Sequence, residues 1–259
     1  MRNKVTRALI IIMTALVLLG VIIARTYYNS QNKSVDPRVV PAREIYARYD
    51  DYAAEGDYYR VFALLDSVEN IYKNYPHYSS SFEMGVVYNN RAAALITIAL
   101  FSDSIRADYN PLTGISPDSI MKRAEFYINK AISVYNTWNM QYAGKSREEI
   151  AGLIAEDFRK GMTVGDNDSM MLYLEARSAE IASAAGETDR RLSVCYTNMG
   201  VIKRYRKEYE EAVSCYQKAL ELWDRNLSAE NNLNILLGRP LKKRNIIQQL
   251  FPPERQDGS

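Results

Sequence analysis

The sequence predicts an all-α protein, a stack of antiparallel helical hairpins (an α-solenoid) behind one N-terminal transmembrane helix. Three observations predict it. An uncharged apolar run, ALIIIMTALVLLGVIIA, fills Ala8 to Ala24. From Pro41 onward, helix-length amphipathic segments succeed one another across short turn signals, with no period-two alternation of the kind strands show. The composition, 47% hydrophobic and 25% charged over 259 residues, supplies core for one medium domain or two small ones and excludes a mainly disordered chain.

The apolar run is about 25 Å long as a helix at roughly 1.5 Å per residue, and Thr26, Tyr27 and Tyr28 extend it toward an aromatic interfacial belt. The span is therefore set at residues 8–28. Arg2, Lys4 and Arg7 precede it, which keeps residues 1–7 in the cytoplasm and exports the remainder of the chain. A cleaved signal peptide would want a shorter apolar core and a small-x-small site, whereas this chain offers Ile22-Ile23-Ala24. The expectation is an uncleaved signal anchor, a single-pass membrane protein with its C-terminal domain outside the cytoplasm. By analogy that is the periplasmic side of a bacterial inner membrane. Residues 29–40, polar and interrupted by Pro37, read as a linker.

Residues 41–237 read as the helical domain. Pro41 can open the first helix, where its missing N–H costs nothing, and Gly56 separates it from a second helix over about Tyr58 to Asn74. A third starts near Ser79, runs through AAALITIAL (Ala92 to Leu100) and extends toward Ala107. Asn110 to Ser116 is a loop, and Ser116-Pro117-Asp118 starts the fourth helix. Ser146 and Glu149 form a capping-box pair for the fifth. Asp166 or Asp168 caps a sixth ending at Gly186, and Thr188 caps a seventh. Residues 238–259 read as a basic, flexible tail.

From Ser193 to Asn226 the chain reads SVCYTNMGVIKRYRKEYEEAVSCYQKALELWDRN. Tyr196 takes a first aromatic position, Met199-Gly200 a Leu-Gly-like pair, and Tyr209 opens the second helix. Ala212, Tyr216 and Ala219 complete an Ala, aromatic, Ala series. This 34-residue unit resembles a tetratricopeptide repeat. Lys203 and Asp224 depart from the usual aromatic and Pro. A single repeat cannot bury its own face, so neighbours are required. Leu227 to Leu237 reads as a following helix, Ala124 to Ala131 repeats the second-helix spacing, and Met84-Gly85 with Tyr88 repeats the first-helix pattern. Together they suggest about four hairpins.

The resemblance implies a non-catalytic scaffold that binds a partner protein or peptide on the concave face of its first helices. In the best repeat that face holds Val194, Thr197, Asn198, Val201, Arg204 and Tyr205. The carboxylate clamp of chaperone-binding members needs a Lys and an Asn where this chain has Thr197 and Val201, so no clamp is expected. Cys195 and Cys215 fall one on each helix, at heights that would suit a disulfide clip in an oxidising compartment.

No phosphate loop, nucleophile elbow, metal-ligand spacing or Cys-His pair appears, and a lone His77 rules out two-His metal sites and second-His triads. No catalysis and no cofactor are therefore expected. The run Lys203 to Lys207 is succeeded by three glutamates within four residues and reads as a solvated turn, not a nucleic-acid patch. Net charge divides as +5 over residues 1–40, −6 over 41–237 and +3 over 238–259, so neutrality is a cancellation. An alternative reading is a receptor-like module that binds a small molecule, glycan or lipid in a groove lined by some of the twenty tyrosines.

Overall fold

The computed structural model describes residues 35–160, 162 and 167–244. The apolar run at Ala8 to Ala24, most of the linker and residues 245–259 lie outside the described residues. The domain is helical: α1 (Val40–Tyr46), α2 (Tyr49–Glu55), α3 (Tyr58–Lys73), α4 (Pro76–Ser79), α5 (Phe82–Phe101), α6 (Pro117–Tyr142), α7 (Arg147–Arg159), α8 (Asn167–Gly186), α9 (Thr188–Tyr205), α10 (Tyr209–Leu222) and α11 (Leu227–Leu236).

Several helix ends follow from local chemistry. Gly56 separates α2 from α3 at φ +72°, a left-handed position suited to glycine. Asp57 then caps α3 by accepting from the Arg60 amide, Ser116 caps α6, and the Ser146–Glu149 capping box opens α7. Thr188 behaves otherwise than expected. It is the first residue of α9 rather than its cap, and its hydroxyl donates to Ala184 O of α8 at 3.1 Å. The linker also ends sooner: Asp36 and Val39 are buried, so the domain begins several residues before Pro41.

Two hairpins form the centre, and a single contact defines each. In α9/α10, the Tyr216 ring lies directly on Gly200, and a Cβ there would fall 2.5 Å from the Tyr216 ring. In α5/α6 the Tyr135 ring lies on Gly85, where a Cβ would fall 2.6 Å away. Four residues before each tyrosine stands a fully buried alanine, Ala212 or Ala131. The small residues let the helix backbones approach while each ring fills the space beside them. The hairpins differ in length. Fifty positions separate Gly85 from Tyr135 and sixteen separate Gly200 from Tyr216, so α5/α6 carries 34 more residues. They go into longer helices, 20 and 26 residues against 18 and 14, and into a connection holding two 3₁₀ turns at Ser102–Ser104 and Ala107–Tyr109.

The stacking does not follow chain order. Helix α9 packs on α6 and α5 and only marginally on α8, so α7/α8 is a side insertion between two stacked hairpins. The end of α9 rests on the added length of α6: Tyr205 OH donates to Asp118 at 2.9 Å, and Arg206 pairs with Glu125 at 2.7 Å. On the other side α1 and α3 pack together and α3 packs on α5. Helix α11 closes the far end, and the Asn226 cap ties it in. The Asn226 carboxamide donates to Ser193 Oγ and Thr197 Oγ1 and accepts from the Ala229 amide.

Helix α5 is, among the described residues, long and apolar enough to cross a membrane, but 61% of that stretch is buried. It serves as the core helix of the domain.

Candidate functional site

A cleft of about 1080 Å³ opens between α1 and α8, with the start of α5 at its base. Arg43 and Tyr46 of α1, with Ala47 just after it, form one wall. One face of α8 forms the other, with Leu172, Glu175, Ala176, Ala179 and Ser183 at helical spacing, and Glu187 at the junction with α9 continues it. The small side chains along this wall leave room for an incoming backbone or side chain. Arg147 and Arg191 also line the cleft.

Helix α8 is held in place by Arg177, which is 2% exposed. Its guanidinium grips Glu83 of α5 with two hydrogen bonds, at 2.6 and 3.1 Å. It also donates to Glu180 at 3.1 Å and to His77 Nε2 at 3.1 Å, and it lies over the Tyr78 ring at 4.6 Å. A bidentate, desolvated pair of this kind fixes orientation as well as distance. Glu180 passes the connection to Arg43 of α1 at 2.7 Å. One buried cation thus joins four helices around the cleft.

The charge states follow from this geometry. Burial alone would raise the Glu83 carboxyl, but the charge and hydrogen bonds of Arg177 outweigh it and hold the group at about 2. Burial, then the neighbouring Arg177, pushes His77 down to about 4. The imidazole is therefore neutral at pH 7, as its role as acceptor from Arg177 requires. Beside it, Asp36 accepts from Tyr78 OH at 3.0 Å and from the forked Arg38 guanidinium. Arg38 in turn donates to Lys160 O at 2.9 Å and lies over Phe158 at 4.9 Å. The first described residues are thereby clamped to α4 and α7.

The six residues expected on the concave face do not line this cleft, although Arg191, one turn before Val194, does. Thr197 is buried, donating to Ser193 O and accepting from Asn226. Asn198 donates to Asn89 of α5 at 3.0 Å, and Tyr205 is held by Asp118. Val194, Val201 and Arg204 are half-buried. Among the repeat-defining residues, Gly200, Ala212, Tyr216 and Ala219 are buried, Tyr196 is half-buried, and Tyr209 stands exposed at the start of α10.

Cys195 and Cys215 are free thiols. With Tyr216 opposite Gly200, Cys215 lies about six residues from Cys195 along the hairpin axis, roughly 9 Å at 1.5 Å per residue. The Cys195 sulfur faces Asn89 of α5 at 3.5 Å, and burial pushes its thiol up to about 12. The height match expected from Tyr196 and Tyr216 does not hold, because Tyr216 pairs with Gly200. Two of the four cations of the basic turn are paired: Lys203 with Glu208 at 2.8 Å and Arg206 with Glu125 at 2.7 Å. Asn226, part of an Asn-Leu-Ser glycosylation sequon, is 4% exposed with its carboxamide fully engaged.

The cleft residues Arg43, Glu83 and Glu180, and the buried Arg177 that braces them, escape sequence reasoning. They belong to no motif, and Arg177 and Glu83 stand 94 positions apart. The available signal was indirect: an arginine and two glutamates, Arg177 with Glu180 at helical spacing and Glu83 at the start of α5.

Comparison with known families agrees with the fold. The tetratricopeptide repeat family model matches residues 193–226, the hairpin α9/α10. No curated protein and no solved structure matches the chain. Repeats of this family generally mediate protein–protein binding and are typically non-catalytic, so the match suggests an interaction scaffold.

Proposed function

We propose that the protein is a membrane-anchored, non-catalytic scaffold that holds a partner protein or peptide against its helical array. The observation that carries the reading is the tetratricopeptide hairpin at residues 193–226, stacked on a second hairpin built around the same glycine–tyrosine contact. The cleft between α1 and α8 is the favoured seat for the partner: it has an open mouth, a wall of small side chains and charged groups fixed by a buried network. Two tyrosines, Tyr46 and Tyr72, stand among its mainly charged and small lining residues, which suits a peptide better than a tyrosine-lined ligand groove. The apolar run at Ala8 to Ala24 and its basic flank support anchoring, with the domain outside the cytoplasm.

Pull-down from detergent-solubilised membranes tests the reading. A stoichiometric protein partner is expected with the wild type and is lost with Ala179→Trp, which projects an indole from the wall into the cleft. The paired substitution of Arg204 and Tyr205 measures the contribution of the α9 face. A ligand-dependent thermal shift with no protein partner would favour the receptor reading and sink this one.

A further inference from the structure

Residues 239–244, the described part of the expected flexible tail, are docked. Helix α11 ends in a Schellman turn: Gly238 at φ +64° donates to Ile235 O, and the Arg239 amide donates to Asn234 O at 2.8 Å. The turn reverses the chain, and the tail runs back along α11. Asn234 Nδ2 donates to Pro240 O at 3.3 Å. Two residues further on, Asn231 takes both main-chain groups of Lys242: its Nδ2 donates to Lys242 O at 3.0 Å, and its Oδ1 accepts from the Lys242 amide at 2.8 Å. Lys242 Nζ reaches Glu230, a residue 9% exposed, at 2.7 Å. Arg244 donates to Arg225 O at 2.9 Å, at the foot of the helix.

These contacts have the form of peptide recognition. A carboxamide that pairs with the N–H and C=O of one residue reads main chain and ignores side-chain identity. Asn231 and Asn234 stand three apart on one helix face, each meeting the tail two residues from the other. The side-chain contacts are a cation over Glu230 and a guanidinium on Arg225 O. Leu241, between the anchored residues, points outward and is 55% exposed. Beside residues 239–244, Ile235 and Leu237 stay 52% and 46% exposed, so polar contacts and the short connection through Gly238 hold this segment rather than apolar burial. A tether this short supplies an effective concentration on the order of millimolar, enough to keep a weak segment in place.

We propose that α11 carries a docking strip for an extended, basic segment of a partner protein, and that residues 239–244 occupy the strip in cis until such a segment displaces them. A competing segment would place a Lys or Arg on Glu230, present its main chain to Asn231 and Asn234, and cover Ile235 and Leu237 with apolar side chains. The strip is separate from the cleft between α1 and α8, so either site can fail without the other.

The test uses the full chain in detergent and a fluorescein-labelled peptide with the sequence of residues 238–245. Lys242→Pro removes the amide that Asn231 accepts and frees the strip. The peptide is expected to bind Lys242→Pro at least about tenfold more tightly than wild type, in line with a millimolar cis competitor. Asn231→Ala in the Lys242→Pro background is expected to abolish binding. Equal binding by wild type and Lys242→Pro, no binding by a folded Lys242→Pro, or binding untouched by Asn231→Ala overturns the proposal. Amide exchange covers the event that Lys242→Pro fails to fold. In the wild type the Lys242 amide should be protected and should lose that protection in Asn231→Ala, whereas free exchange in the wild type contradicts the docked tail.

Discussion

Hairpins α5/α6 and α9/α10 share one packing solution and differ in almost everything a sequence pattern registers. Both set a tyrosine ring on a glycine and a buried alanine one turn before the tyrosine. Only α9/α10 keeps the two at repeat spacing, and only α9/α10 matches the repeat family. In α5/α6 the 34 extra residues lengthen both helices, and their added surface is used: Asp118 and Glu125 receive the end of α9. The contact between helix backbones is the physical requirement both hairpins share, while the distance along the chain is free to change. The two hairpins also bear different loads. Helix α5 holds α8 through Glu83 and so builds the cleft, whereas α9/α10 passes its contacts to α11 through Asn226.

That difference can be broken most forcefully at Arg177. Arg177→Ala leaves Glu83 without its cation and should cost about 3–5 kcal/mol, read by thermal or urea denaturation. Glu83→Gln in the same background should recover part of the loss. A melting curve for Arg177→Ala that matches the wild type would show that α8 is held by apolar packing alone.

Acid should act on the same side of the molecule. The folded state holds His77 near 4 against an ordinary 6.5, so between those values the unfolded chain binds more protons. Stability is then full above about pH 6.5 and falls as pH drops toward 4, by up to about 3 kcal/mol at 1.36 kcal/mol per pK unit. Glu83 adds its own loss below about 4.5, as pH falls toward its folded value of about 2. Groups facing His77 are Arg177, Glu83, Arg38 and Asp36, and His77→Gln should flatten the upper part of the profile. A wild-type melting temperature constant from pH 6.5 to 4 would contradict the buried neutral imidazole.

The equivalence of the two hairpins is sharpened by Gly85→Ala and Gly200→Ala. Each places a methyl group against a fixed tyrosine ring, and each should cost about 1–3 kcal/mol. If Gly200→Ala is costly and Gly85→Ala is neutral, the hairpins are not built alike. The smallest effect is expected at Tyr216→Phe. Among the described residues the buried Tyr216 hydroxyl has no hydrogen-bond partner, so its removal should leave stability unchanged or raise it by up to about 1 kcal/mol, read as a change in melting temperature.

The sequence was informative where structure is local. Ser116, the Ser146–Glu149 box and Gly56 mark helix ends through contacts made within four residues. Gly200, Ala212 and Tyr216 are legible because their spacing is that of an uninterrupted hairpin. Register in α6 was not legible. Ala124 to Ala131 shows the second-helix spacing, yet Ala131 and not Ala124 is the counterpart of Ala212, since the longer hairpin moves the contact by one heptad. The cleft was illegible for the same reason at larger scale: Arg43, Glu83, Glu180 and Arg191 come to line one cleft only after α7/α8 folds aside and lets α9 stack on α5/α6. Thr188 failed as a cap because its hydroxyl serves Ala184, a bond that joins successive helices rather than opening one.

The central claim is that the array seats a protein partner in the cleft between α1 and α8. Photo-crosslinking in intact cells tests it most directly, with benzoylphenylalanine placed at Ala179 in the cleft wall and, in parallel, at Met140, which is 81% exposed and lines no part of the cleft. The account predicts one discrete protein adduct from position 179 and none from position 140. Adducts of equal yield and size from both positions, or no adduct from 179 in cells where 140 crosslinks, would contradict it.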